Sequence, residues 1–233
     1  MRVTALAAEM GVSSETVRRD LTELEEAGRL NRTYGGAVRE AQMEPMLASR
    51  MPVQLEQRQA IVAAAIAHMD GADSIFIGGG ATTLHLARAL KNTARRLLVL
   101  TPSLNVVTEL GRNPQIDILM LPGRYDRLEG LVQGQETLEA IEKYRVPLAF
   151  VGASGIDEEG VSEALVDAAQ VSSAIIRQSG RTMVLADATK FNRRALTLTT
   201  EWKPGIALVT DRRPDADVSE AILGQGAEII VAA

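Results

Sequence analysis

The 233-residue chain is 46% hydrophobic and 24% charged, with a net charge of −5, the make-up of a globular protein that holds one large α/β unit or a small module beside a larger one. The absence of cysteine excludes disulfides, thiolate nucleophiles and cysteine-held zinc and suits a reducing, cytoplasmic setting. Acidity and a 3% aromatic content exclude a general polyanion binder and a stacking surface for single strands, and no run reaches the roughly 18 apolar residues of a membrane span, so any nucleic-acid contact must be local.

In chain order, residues 4–10 read as a short helix stopped by Gly11. Ser13 is placed to cap a second helix, on which Val17, Leu21 and Leu24 fall on one side and Glu15, Arg18, Arg19 and Thr22 on the other. One face packs and the other is presented, as in a helix-turn-helix whose second helix reads DNA. Gly28 ends that helix, and "RLNRTYGGAVRE" supplies two extended runs about Gly35 and Gly36, the layout of a wing. Residues 1–40 balance six arginines against seven carboxylates, so position rather than total charge must supply the electrostatics. The residues expected on DNA are Ser14, Glu15, Thr16, Arg18, Arg19, Thr22, Arg32 and Tyr34. Asp20, near the edge of the packed face, is expected to be structural.

Residues 41–56 lose periodicity, carry two prolines and read as a linker. From residue 57 onward, "DSIFI", "RLLVLT", "IDILML", "LAFVG", "TMVLAD", "IALVTD" and "AEIIVA" alternate with helical stretches. That alternation predicts βαβ units, a mostly parallel sheet covered on both faces, and an α/β domain over 57–233. Ligands of such sheets bind beyond the carboxyl ends of the strands, where "GGGATT", "GASGID" and "DATK" stand. Gly78, Gly79, Gly80 and Ala81 let backbone amides approach an anion, with hydroxyls from Thr82 and Thr83 where the next helix begins. Lys190 offers an ammonium and Asp157 an acceptor for ligand hydroxyls, a mixture that suits a phosphorylated sugar or polyol. Glu163 and Asp187 are explained as well by turn or cap roles. The loop is neither of the glycine-rich nucleotide fingerprints. His68 and His85 lie in helical patterns, and no triad or zinc spacing is present, so neither metal nor cofactor is expected.

The stretch "VTALAAEMGVSSETVRRDLTELEEAGRLNRTYGGAV" closely resembles the winged helix of the DeoR-type bacterial repressors, with Ser13, Thr16, Val17, Arg18, Arg19, Asp20 and Leu21 in that family's recognition-helix pattern. "DSIFIGGGATTLHLARAL", "SLNVVTEL", "LPGR", "LVQG", "FVGASGID" and "VLADATKF" resemble its sensor domain, in order and approximate spacing, and "GASGID" is similar to the glycerol-3-phosphate repressor branch. The resemblance implies a winged helix-turn-helix followed by a sensor domain similar in fold to ribose-5-phosphate isomerase. It also implies a repressor of a sugar or polyol catabolic operon, released from double-stranded operator DNA by a phosphorylated sugar or related metabolite. Repeated half-sites then call for a homo-oligomer, a dimer or tetramer.

The pattern departs from the family in three places. A further helix is usual before the point that matches Arg2, so the DNA-binding module is expected to lack its first helix. Gly78 stands where many relatives carry Asp, and Ser172 where a Lys is common. The alternative, a sugar-phosphate enzyme on the same fold, lacks the isomerase's paired aspartates and its Lys-Gly-Gly-Gly run, and the chain is expected not to be an enzyme.

Overall fold

The computed structural model describes residues 11–26, 31–33, 36–38 and 45–232, together with Val3, Ala7 and Met10, with side chains outside the description from 23 to 38. The chain divides into two compact units, Met1–Met43 and Glu44–Ala233.

In the N-terminal unit, Val3, Ala7 and Met10 lie on helical backbone. The turn that follows rests on Gly11, at a φ of +65°, where a side chain would be strained. The Val12 amide reaches back to the Ala7 carbonyl at 3.1 Å, the bond that closes a Schellman-type helix end. Ser13 opens α1 (Ser14–Glu26), its hydroxyl accepting the Thr16 amide at 3.1 Å, so one of the orphan amides of the first turn is satisfied. Val17 and Leu21 are buried against Val3 and Ala7, the small apolar contact that holds the two helices. Leu24, on the same stripe, lies outside the described side chains. Strands β1 (Asn31–Thr33) and β2 (Gly36–Val38) pair antiparallel, with Thr33 opposite Gly36.

The larger unit begins with α2 (Leu47–Arg50) and α3 (Leu55–Ala67). Then follow β3 (Ser74–Ile77), α4 (Ala81–Leu90), β4 (Leu97–Thr101), α5 (Leu104–Leu110) and β5 (Ile116–Met120). A hairpin of β6 (Arg124–Asp126) and β7 (Leu131–Gln133) leads to α6 (Gln135–Glu142) and β8 (Val146–Val151). After β9 (Gly155–Ile156) and β10 (Gly160–Glu163) come α7 (Val166–Arg177) and β11 (Ser179–Leu185). A 3₁₀ turn (Ala188–Lys190), β12 (Thr197–Glu201), β13 (Ile206–Thr210), α8 (Ala216–Gly224) and β14 (Glu228–Val231) complete it.

Seven strands form one sheet in the order β14-β13-β11-β8-β3-β4-β5, and every neighbouring pair is parallel. These are the seven apolar runs read from the sequence. Their side chains alternate between two cores, as a period of two requires. Ile75, Ile77, Val99, Leu148, Phe150, Met183 and Leu185 pack beneath α3, α4 and α5. Phe76, Leu100, Ala149, Val151, Val184 and Leu208 pack beneath α6, α7 and α8. A small antiparallel sheet, β12-β10-β9, and the β6–β7 hairpin stand apart from the main sheet.

The stretch 45–56, expected as a linker, carries α2, and its Leu47 is buried in the first core. Four helical residues are too few to show a period in sequence. Among the described residues, no helix is long and apolar enough to cross a membrane.

Candidate functional site

In the main sheet, β3, β4 and β5 run to one side and β8, β11, β13 and β14 to the other, so the strand order reverses between β3 and β8. A crevice opens beyond the carboxyl ends of the two strands at such a switch point. Both strands are followed there by glycine, Gly78 and Gly152. Gly78 continues the ladder, its amide donating to the Phe150 carbonyl at 2.9 Å. A Cβ on Gly79 would stand 2.4 Å from Leu131 Cδ2, and Gly80 sits at a φ of +120°, a conformation essentially restricted to glycine. Gly80 precedes α4 and offers no side-chain cap, so the amides of Ala81, Thr82 and Thr83 begin the helix without one, at its positive end.

A cavity of about 30 Å³ lies against this loop, lined by Gly79, Gly80 and Gly152, by Arg50, Glu129 and Glu163, and by Leu131, Leu165 and Ser172 among others. The guanidinium of Arg50 pairs with the Glu129 carboxylate. Burial pushes the Glu129 carboxyl above the usual carboxylate range; Arg50 pulls it down, and the nearby charges of Glu163 and Asp126 raise it again. Glu163 Oε1 accepts the Ser154 hydroxyl at 2.5 Å and the Ala164 amide at 2.8 Å. Larger hollows lie elsewhere: about 700 Å³ between α3 and α4 around Val62, Ile66 and His85, and about 450 Å³ around Asp73, Arg96 and Asp117, at the amino ends of strands. The smaller cavity is the one at the switch point, bordered by the glycine loop and by Arg50, Glu129 and Glu163, and it is the candidate site.

The expected residues are placed unequally around it. Gly79 and Gly80 line the cavity, and Gly78 anchors the loop to β8. Thr83 is fully buried and donates its hydroxyl to the Gly80 carbonyl at 3.0 Å, holding the turn rather than lining the cavity. Thr82 is also buried. Asp157 is not brought to the cavity. Its Oδ1 accepts the amides of Glu159 and Gly160 at 3.0 and 3.1 Å, and its Oδ2 accepts Arg194 Nε at 2.8 Å. A carboxylate committed to its own turn and a guanidinium has little left for a ligand hydroxyl. Lys190 closes the 3₁₀ turn after β11 and does not line the cavity. Asp187 caps that turn through the Thr189 amide at 3.0 Å, the role its position suggested.

Sequence reasoning passed over Arg50, Glu129 and Glu163. Arg50 lay in an aperiodic stretch, Glu129 in the turn between β6 and β7, and Glu163 stood where a turn role explained it equally well. Ser172, where the family pattern suggests a Lys, is part of the cavity wall.

On α1, Arg18 and Arg19 are 56% and 74% exposed, opposite the buried Val17 and Leu21. Arg18 lies 3.3 Å from Glu15, and Arg19 lies 3.9 Å from Asp20, which is exposed; the Thr22 hydroxyl donates to the Arg18 carbonyl at 2.9 Å. Thr16 is tied to Ser13 at 2.9 Å between hydroxyls, and Ser14 is half-buried at the helix start. Arg32 lies on β1 opposite Ala37, its side chain outside the described residues, and Tyr34 lies outside them altogether.

The family model described as the DeoR C terminal sensor domain matches residues 53–212, and that described as the DeoR-like helix-turn-helix domain matches residues 1–43. The chain is 29% identical over 219 residues to the glycerol-3-phosphate regulon repressor of Escherichia coli, covering 93% of this chain and 86% of that one. It is 28% identical over 233 residues to the repressor CsqR of the same organism, covering 99% and 89%. It is 29% identical over 224 residues to the repressor GlcR of Bacillus subtilis, covering 94% and 85%. Among solved structures, a D-ribose-5-phosphate isomerase matches with a TM-score of 0.42 at 17% identity, over 58% of this chain and 53% of that one. The two family models between them take in the exposed arginines of α1 and the glycine loop after β3, and the chain belongs to the DeoR family of DNA-binding transcriptional regulators.

Proposed function

We propose that the protein is a repressor of a sugar or polyol catabolic operon that grips its operator with α1 and the β1–β2 wing and lets go when a phosphorylated sugar or polyol occupies the cavity after β3. The observation that carries the reading is the glycine loop at the switch point, where Gly79 and Gly80, which lead into the uncapped start of α4, border one cavity with Arg50. A phosphate is the common ligand group that uses both a helix N-terminus and a guanidinium. The DNA-contacting set is Ser14, Glu15, Thr16, Arg18, Arg19, Thr22, Arg32 and Tyr34, with Arg18 and Arg19 carrying most of the phosphate contact. The effector-binding set is Gly78 to Thr83, extended to Arg50. Asp157 and Lys190 belong with it only where ligand entry reshapes the loops that hold them. The domain division is a DNA-binding domain of residues 1–40 and an effector domain of 57–233, with Leu47 and Met51 of the intervening segment packed on the latter.

Operators made of repeated half-sites require two or more readers, so the working form is a homo-oligomer, a dimer or tetramer. Release follows from linkage: an effector shifts the protein off DNA only by the difference in its affinity for the bound and released arrangements. The test is fluorescence anisotropy of the gene's own upstream DNA with the purified chain, titrated with a panel of sugar and polyol phosphates. Tight, salt-sensitive binding relieved by one phosphorylated compound and not by its unphosphorylated parent is expected. Turnover of a sugar phosphate without binding to any upstream fragment overturns the reading.

A further inference from the structure

Arg50 belongs at once to the wall of the cavity and to α2, the first helix after the N-terminal unit ends at Met43. Its side chain and that of its partner Glu129 are 16% and 8% exposed, so neither charge is well hydrated and each depends on the other. Glu129 also faces Glu163 across the lining and Asp126 from its own loop. Among the lining residues there is one cation and there are two carboxylates. For a dianionic phosphate that balance is poor while Arg50 stays on Glu129, and better once Arg50 turns to the ligand and Glu129 is left to take a proton.

Space leads to the same exchange. A cavity of about 30 Å³ has room for a water and not for a phosphorylated sugar, so a wall must give. The Arg50 wall is carried by a helix of only four residues. Besides the Glu129 pair, the ties of α2 include the packing of Leu47, a 3.3 Å bond from the Leu47 amide to the Leu128 carbonyl and Arg58 donating to the Arg50 carbonyl. A phosphate offers the guanidinium fork two oxygens and a higher charge than a carboxylate does.

We propose that an incoming phosphate takes Arg50 away from Glu129, so that α2 has two arrangements, one for the empty cavity and one for the filled, and the second is passed along the chain toward the DNA-binding unit. Coupling of this kind needs an element with two discrete states that both sites bias, and Arg50 with its two alternative partners supplies one. The inference rests on reading the cavity after β3 as a phosphate site.

The experiment is amide hydrogen exchange and calorimetry on the full chain with inorganic phosphate as the probe, in the native protein, in Glu129→Gln and in the double variant Arg50→Gln/Glu129→Gln. In the native protein phosphate is expected to slow exchange at 78–83 and to change it at 47–51. Glu129→Gln, which frees Arg50 from a charged competitor, is expected to bind phosphate about tenfold more tightly. The double variant keeps an amide-to-amide contact in place of the ion pair and is expected to fold, to bind about tenfold more weakly than the native chain and to lose the response at 47–51. Protection at 78–83 with 47–51 unmoved, and with unchanged affinity in either variant, overturns the exchange while leaving the phosphate site standing. No response at 78–83 in the native protein overturns the site and the exchange with it. Should Glu129→Gln fail to fold, the double variant alone decides whether Arg50 meets the anion.

Discussion

Arginines serve this protein in two opposite settings. On α1, Arg18 and Arg19 are more than half exposed and lie beside Glu15 and Asp20 at 3.3 and 3.9 Å. Such pairs are hydrated and salt-screened and hold their members loosely. In the cavity, Arg50 is nearly buried and its carboxylate partner more so, where parting the two leaves charge stranded in a poorly hydrated place. A cation that must meet any of many backbone phosphates gains from being already in water and lightly held. A cation that must report one ligand gains from being costly to move, because only a specific replacement then moves it.

The largest effect should come from breaking the buried setting without a replacement. Arg50→Ala leaves Glu129 uncompensated beside Glu163, and a loss of about 3 kcal/mol in urea unfolding is expected. Gly80→Ala follows: at a φ of +120° any side chain forces the backbone into strain, at a cost of about 1–3 kcal/mol. The loop shift should also abolish phosphate protection at 78–83 while operator binding by ligand-free protein persists. In the exposed setting the ranking inverts. Arg18→Ala and Arg19→Ala should each leave stability within about 0.5 kcal/mol and phosphate affinity unchanged. Each should weaken operator binding about tenfold and reduce the salt slope of log K by about one. Equal loss of stability in Arg18→Ala and Arg50→Ala would erase the distinction between the two settings.

The two settings were not equally legible in the sequence. Val17 and Leu21 announce a packed stripe through their spacing, so the face with Arg18 and Arg19 follows by subtraction. The seven core strands were readable because strands buried on both faces are written as apolar runs. Gly78 to Gly80 stood out because glycine triplets are rare outside places where backbone must approach something closely. Arg50 and Glu129 left no such trace. They meet across 79 positions of sequence, one in a helix of four residues and one in a hairpin turn, and their importance comes from burial that neither local pattern encodes. Asp157 misled for the opposite reason: it does follow a strand end, but a turn and Arg194 absorb its acceptors. β6, β7, β9, β10 and β12 were missed as strands because pairings of two to five residues carry too little alternation.

The smallest effect, and the one most specific to the buried setting, is its dependence on pH. The carboxyl of Glu129 is raised, first by burial and then by Glu163 and Asp126, with Arg50 opposing. A group whose folded pKa is raised contributes stability that is present below its unfolded value and lost as pH rises through the folded value. Anion binding adds negative charge beside the same carboxyl and raises it further, so binding should take up a fraction of a proton. Affinity should therefore fall as pH rises from the acid side through the raised Glu129 value, and level off above it. Sulfate is the suitable probe, because its charge is constant from pH 4 to pH 8 on the order of its strong acidity, whereas phosphate titrates within that window. Calorimetry in two buffers of different ionisation heat gives the proton count directly. Glu129→Gln should bring the count to zero and flatten the profile, whereas Arg18→Ala should change neither. A proton uptake that survives in Glu129→Gln would show that Glu129 is not the group that takes up the proton and would remove the charge exchange at α2.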